Sequence, residues 1–439
     1  MEYLAVLGRQ PELSVAELES LFFDVRKISE KLATFKMMDS DKNCTEETDL
    51  ISRLGGSLKL AKKLDLKPIE LLANLSEGKI TIGVSDYSKG ASKKSASSEA
   101  LKLKKILVRH GRSVRVVENR EAVLSTATSL HNGLSGKNER KIELIKVNED
   151  WYKVIGVQDI DAYVERDRVR PARDAKVGML PPKLAQILIN LCGPLDSNSR
   201  ILDPFCGTGV VLQEALLMGY RAYGTDISEK MVEYSEKNIE WLAKSRRNSS
   251  ESVFAVVEPT TAERVPRKDG RTSGLEEGLG RDFKTRFKIQ QGDATSYQWE
   301  KPIDAVACEG YLGKPFSKIP TEMEFKEQKQ ECQAIVLGFL KNLAGQIKSG
   351  TPVVIAVPAW LRPNGEYERL DIIGRTRSTS EEKRSFSSES TQGGQLFSQE
   401  KVDEIQKLGY NVNNKTCEGL LYHREKQIVA RDILILRKK

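Results

Sequence analysis

At 439 residues with 39% hydrophobic side chains, the chain is too long for one ordinary domain and can bury a sizeable core, so two or three domains are expected. Its formal charge of +8 is moderate, yet nine Lys or Arg against one acid, Glu99, fall within residues 89–115, a local patch that suggests a polyanionic partner. Cys44, Cys192, Cys206, Cys308, Cys332 and Cys417 lie far apart with no Cys-x-x-Cys pair and only three histidines beside them, which argues against a disulfide framework, structural zinc or any metal site. No apolar run approaches the ~20 residues needed to span a bilayer, and residues 1–10 lack a signal peptide's basic start and apolar centre, so a cytoplasmic protein without membrane contact is expected.

Residues 3–7 read as a short apolar strand. Ser14 with Glu17 three residues later reads as a capping box that starts a helix running to Phe22. With the pieces that follow, residues 1–75 are expected to form a small ferredoxin-like unit. A second unit, 76–165, reads as a strand at 79–84, a polar stretch, a basic helix at 99–110, a strand at 113–117, a helix at 122–132, and strands at 141–147 and 151–158. That order, with the string Leu124-Ser125-Thr126-Ala127-Thr128-Ser129-Leu130-His131-Asn132, resembles the THUMP domain, which binds the acceptor end of tRNA. The basic patch then suggests phosphate contacts from Lys89, Lys93, Lys94, Lys104, Lys105, Arg109, Arg112 and Arg115, although the same run also reads as a solvated face. His110 and His131 read as solvent or packing residues.

The third unit, 166–439, is organised around Arg200-Ile201-Leu202-Asp203-Pro204-Phe205-Cys206-Gly207-Thr208-Gly209-Val210-Val211-Leu212 and the later Tyr223-Gly224-Thr225-Asp226. A short apolar strand, a turn with two glycines, a helix and a second strand ending in a carboxylate make the first half of a doubly wound sheet. Gly207 and Gly209 let a ligand approach the backbone closely, and the helix start near Val210 offers unpaired amides. Asp203 can accept from an ammonium. Asp226, seventeen positions after Gly209, can accept from both hydroxyls of a ribose. The pocket therefore suits an amino acid at one end and a nucleoside at the other.

The string from Asp203 to Gly209 resembles the cofactor motif of class I S-adenosylmethionine-dependent methyltransferases, in the form used by nucleic-acid amino-methyltransferases. A nicotinamide fingerprint would carry a third glycine where Leu212 stands. An oxidoreductase and a catalytically silent Rossmann-like module are the competing readings. The resemblance implies S-adenosylmethionine as cofactor and a cofactor set of Asp203, Phe205, Gly207, Gly209, Asp226, Ile227, Asp293 and Ala294. Asp293 would take the adenine amino group; its alternative reading is a helix cap.

Long loops are expected near 244–283 and 362–394, which are polar and lack periodicity, and an antiparallel final strand pair closes the sheet. At the end of the fourth strand stands Ala305-Val306-Ala307-Cys308-Glu309-Gly310-Tyr311. Amino-methyltransferases usually carry Asn or Asp, then Pro-Pro and an aromatic residue there. A ring-conjugated amine is a poor nucleophile, so its hydrogens must be held by an acidic or amide oxygen and a backbone carbonyl while an aromatic face stacks on the flipped base. The resemblance assigns these roles to Glu309, the Gly310 carbonyl and Tyr311, with Glu309 longer by one methylene than the usual acid and Gly310 more flexible than proline. Cys206 and Cys308 flank the pocket without a paired base and read as small buried side chains.

The strings Arg170-Pro171-Ala172-Arg173-Asp174 and Gly178-Met179-Leu180-Pro181-Pro182-Lys183-Leu184-Ala185 resemble the junction of THUMP-domain tRNA guanine 2-amino methyltransferases, the group that modifies position ten. The fold class implied is α/β: a class I Rossmann-like sheet of seven strands preceded by ferredoxin-like and THUMP units. The function implied is methylation of a guanosine 2-amino group in tRNA, with tRNA as partner and a small activator protein as in some relatives. A non-catalytic tRNA-binding protein, or methylation of another RNA, is the alternative.

Overall fold

The computed structural model describes residues 1–37, 49–174, 179–247, 285–373, 404–425 and 427–439. It divides into two compact units, Met1–Arg170 with Pro181–Pro194, and Pro171–Leu180 with Leu195–Lys439.

The first unit holds strands β1 (Glu2–Leu7), β2 (Phe23–Ser29), β3 (Leu32–Lys36), β4 (Ser57–Lys63), β5 (Ile80–Asp86), β6 (Val114–Val116), β7 (Lys141–Val147) and β8 (Asp150–Val157). All belong to one eight-stranded sheet in the order β2-β3-β1-β4-β8-β7-β5-β6. Its helices are α1 (Pro11–Leu21), α2 (Pro68–Ala73), α3 (Lys93–Arg109), α4 (Thr126–His131), α5 (Ile160–Val164) and α6 (Pro182–Asn190).

Two expectations are corrected here. The division at residue 75 falls inside a continuous sheet, because β4 and β8 pair antiparallel and leave no free edge between the supposed units. The α1 helix begins at Pro11, whose fixed φ suits a first helical turn, and not at Ser14. Ser14 and Glu17 work elsewhere: Ser14 Oγ donates to Gly56 O at 2.7 Å, and the Glu17 carboxylate accepts from the Gly55 and Gly56 amides at 2.9 and 2.8 Å.

The second unit holds β9 (Arg200–Asp203), β10 (Arg221–Asp226), β11 (Phe287–Gln291), β12 (Ala305–Glu309), β13 (Pro352–Leu361), β14 (Tyr367–Arg369), β15 (Tyr410–Val412), β16 (Leu420–Tyr422) and β17 (Val429–Lys438). Seven of these follow the order β11-β10-β9-β12-β13-β17-β15, as expected, while β14 and β16 add short antiparallel pairings to β13 and β17. Strands β9 to β13 are mutually parallel and β17 runs against β13. The chain winds outward from β9 in both directions, so the crevice beyond the carboxyl ends of β9 and β12 is the topological switch point. Helices α7 (Val210–Leu217), α8 (Glu229–Arg247) and α9 (Glu322–Ala344) accompany the sheet, and Phe339, Val336 and Leu340 of α9 join Leu202, Val306 and Ile355 in an apolar cluster.

The long-loop expectations are corrected at their edges. Residues 244–247 continue α8, and Tyr367–Arg369 pairs with β13 through Trp360↔Glu368. Residues 248–283 and 374–394, and residues 175–178 of the junction, lie outside the described residues. Among the described residues no helix is long and apolar enough to cross a membrane.

Candidate active site

The turn after β9 is built by its two glycines. Gly207 (φ +50°) and Gly209 (φ +78°) both sit in the left-handed region, and a Cβ on Gly209 would come within 2.9 Å of Ser235 Oγ. Gly209 precedes α7, and its amide closes the turn onto Cys206 O at 2.7 Å. Ser235 Oγ donates to Gly207 O at 2.8 Å. Asn238 braces the turn from α8: its Nδ2 donates to Thr208 O and Ala172 O, each at 2.9 Å, and its Oδ1 accepts from the Ala172 amide at 2.9 Å. Phe205 packs edge-on against Phe339, ring centroids 5.2 Å apart.

Asp203 ends β9 buried, accepting from the Phe205 amide at 3.1 Å. Burial, with the charges of Asp226 and Glu309 adding to it, pushes its carboxyl well above the usual range. Asp226 accepts from the Gly207 and Ser228 amides, both at 2.9 Å, and burial raises its pKa as well. A carboxylate has about four lone-pair sites, so two remain for hydroxyl donors. Ile227 beside it is 68% exposed, an apolar surface at the strand end. Asp293, exposed after β11, accepts from the Thr295 amide and hydroxyl through Oδ1 at 2.8 and 2.7 Å, so it caps a turn and not a helix. Ala294 is buried, and its carbonyl accepts from Asn342 Nδ2 at 3.0 Å.

Glu309 closes β12 next to Asp203 and is mostly buried. Its Oε1 accepts from Arg431 Nε of β17. Burial raises the Glu309 pKa and the Arg431 guanidinium counteracts that rise. Gly310 N–H donates to Ala356 O at 2.9 Å, and a Cβ there would meet Ile355 Cδ1 at 3.1 Å. The family's usual proline has no N–H to give, so glycine at this position fits the backbone pairing found here. Tyr311 is half-buried against the apolar cluster, and burial, followed by Glu331, raises the pKa of its hydroxyl. Three carboxylates and one buried guanidinium thus stand at the switch point, and the carboxylates are acceptors suited to a ligand with a cationic centre.

Residues 170–262 match the family model described as UPF0020, RMKL-like, methyltransferase domain. That match covers 93 of the 439 residues. Over 84 residues the chain is 43% identical to a tRNA (guanine(10)-N2)-dimethyltransferase of Methanothermobacter thermautotrophicus, covering 18% of this chain and 25% of the relative. Over 62 residues it is 48% identical to the protein of the same name from Pyrococcus abyssi, covering 14% and 18%. The match thus spans about a quarter of the first relative's length. The solved structure of TrmN from Thermus thermophilus is similar over the whole of both chains, at 14% identity and a TM-score of 0.43, a likeness that carries no weight beside the strand order.

The second unit brings Asp226 and Glu309 within electrostatic reach of Asp203. Sequence reasoning missed Arg431, Ser235 and Asn238. Arg431 lies 122 residues from its partner, beyond any local motif, and its signal is the charged pair Arg431-Asp432 between Ala430 and the apolar run Ile433–Leu436 of the same strand. In the first unit, α3 turns Ala96, Ala100, Leu103 and Leu107 inward, which leaves Lys94, Lys105 and Arg109 exposed, with Lys89 exposed on the preceding turn. Lys93 is exposed beside Glu118 at 3.5 Å, and Lys104 is half-exposed. The other two candidates are engaged: Arg112 donates to Leu75 O and Ser76 O at 3.0 and 2.7 Å, and Arg115 to Asn132 Oδ1 at 2.9 Å.

Proposed function

We propose that the chain methylates the 2-amino group of a guanosine in tRNA, at position ten as the names of its relatives indicate. The observation that carries the reading is Glu309, an acid held by Arg431 at the end of β12, next to the glycine turn of a matched methyltransferase domain. The residues present fit S-adenosylmethionine: the Gly207–Gly209 turn is a cradle that side chains would fill, Asp203 is a buried acceptor, and Asp226 keeps lone pairs for ribose hydroxyls. When bound, that group supplies an electrophilic methyl on a cationic sulfur.

The chain's own residues do the rest. Asp203 accepts from a cationic amine, a charge its crowded carboxylates favour. Asp226 and Ile227 take the ribose and one face of the adenine, and Asp293 the adenine edge. Glu309 accepts a hydrogen from the guanine amine, and the Gly310 carbonyl takes the other, which aims the nitrogen lone pair; the nitrogen would gain the methyl carbon given up by the sulfur and shed one proton to the Glu309 carboxylate, from which it passes to solvent. Tyr311 offers its ring face to the flipped base. The basic face of α3 holds tRNA phosphates. The reading takes the cytoplasm as compartment, and a small activator protein, as in some relatives, is the partner it leaves to be sought.

Glu309→Ala tests it. Loss of a group that orients only the reacting nitrogen should lower turnover by about a hundredfold or more while cofactor and tRNA affinities hold. A variant that methylates tRNA as fast as the parent would show that another group does this work.

A further inference from the structure

We propose that Arg431 is a positioning residue for this reaction: reaching across the face of β13, it fixes the rotamer and the charge of Glu309 so that one carboxylate oxygen is held and the other is presented to the incoming amine. The inference rests on the reading of Glu309 given above. Three observations carry it.

Register is the first. Glu309 pairs with Ala356 of β13, and Arg431 pairs with Pro358 two residues on, so both side chains stand over the same face of β13. Ala356 and Pro358 are compact, which lets the guanidinium lie across them to Glu309. The second is fixity: Arg431 is 4% exposed, pairs with Tyr422 of β16 and lies over that ring at 6.0 Å. An arginine walled in by two strands has few other rotamers, and so neither has the carboxylate it holds. The third is economy of contact. The bond runs from Nε to Oε1, which leaves Oε2 for a substrate donor.

Charge explains why such a device is needed. Glu309 is mostly buried; Arg431 from β17 is the charge acting on it, and Glu309 in turn acts with Asp226 from β10 on Asp203 from β9. Desolvation favours the protonated acid, a weaker acceptor for the amine hydrogen than the carboxylate; the guanidinium opposes it. Removing it leaves a buried carboxylate without its counter-charge, so the acid limb of the pH–rate profile moves to higher pH.

The test measures turnover of full-length parent, Arg431→Met and Arg431→Lys on tRNA from about pH 6 to about pH 9, with KM for tRNA and cofactor affinity alongside. Arg431→Met should lower kcat at neutral pH by about tenfold or more, shift the acid limb upward, and leave KM for tRNA near the parent's. Arg431→Lys, which restores a charge without the planar donor, should fall between the two. If Arg431→Met does not fold, Arg431→Lys carries the test through its own lowered kcat and shifted limb. Unchanged kcat and an unchanged limb in either folded variant overturn the proposal. A parent that yields no methylated guanosine overturns the function reading instead, so the two failures are distinct.

Discussion

Asp226 and Gly310 tie single side chains and amides to the proposed chemistry. Asp226 accepts from two amides of the turn and keeps capacity for a ribose, so Asp226→Ala removes charge-assisted hydrogen bonds worth roughly 1.5 to 3 kcal/mol each. Calorimetry should find S-adenosylmethionine affinity at least tenfold weaker, and equal affinity in a folded variant contradicts the assignment. At Gly310 the family pattern invites a return to proline. The structure argues the reverse: Gly310→Pro deletes the bond to Ala356 O and crowds Ile355, at a cost of about 1 to 3 kcal/mol, visible as a lower denaturation midpoint. An unshifted midpoint would mean that the bond is not made. Asp203, the glycines and Asp226 were legible in the sequence because their spacing is local, within one strand–turn–helix–strand unit. Arg431 was not, because sheet pairing between strands far apart in the chain leaves no spacing to read.

At the scale of elements, α3 and α1 show how far pattern reading reaches. The basic helix was legible from residue 99, since its apolar positions recur at helical spacing, but its start at Lys93 behind the Ser92 cap was not, nor was which cations are free: Arg112 is a brace between α3 and the segment after α2. Replacing Lys89, Lys94, Lys105 and Arg109 by Ala should weaken tRNA binding and flatten its salt dependence by roughly 0.7 to 0.9 per lost phosphate contact, whereas Arg112→Ala should leave the slope alone. An unchanged slope in the fourfold variant reduces the patch to a solvated face. In α1, Glu17 looked like a cap and is a buried anchor. It accepts from Gly55, Gly56 and Asn190 of α6, and burial outweighs those bonds and pushes its pKa up to about 7. The folded unit therefore holds a proton that the unfolded chain has lost above about pH 4.5, so this contribution is full below that value and declines as pH rises through about 7, by about 3 kcal/mol in all. Denaturation midpoints of the parent should fall relative to Glu17→Gln between about pH 4 and about pH 8. A constant gap between the two proteins contradicts it.

Across the whole molecule, the second unit's sheet was predictable because the strand–turn–helix–strand that opens it is a contiguous motif, which lies within the matched residues 170–262. The first unit's single sheet was not, because β4 joins β8 across about ninety residues and only the pairing fuses what the sequence presents as two modules. The proposed function, methylation of guanosine in tRNA, joins the second unit's sheet to Glu309. It is met most directly by incubating the purified protein with S-adenosylmethionine labelled in its methyl group and total tRNA, digesting the product and identifying the labelled nucleoside and its position. The account predicts label on the 2-amino nitrogen of guanosine at position ten; label on any other atom, or none from a protein that binds both partners, contradicts it.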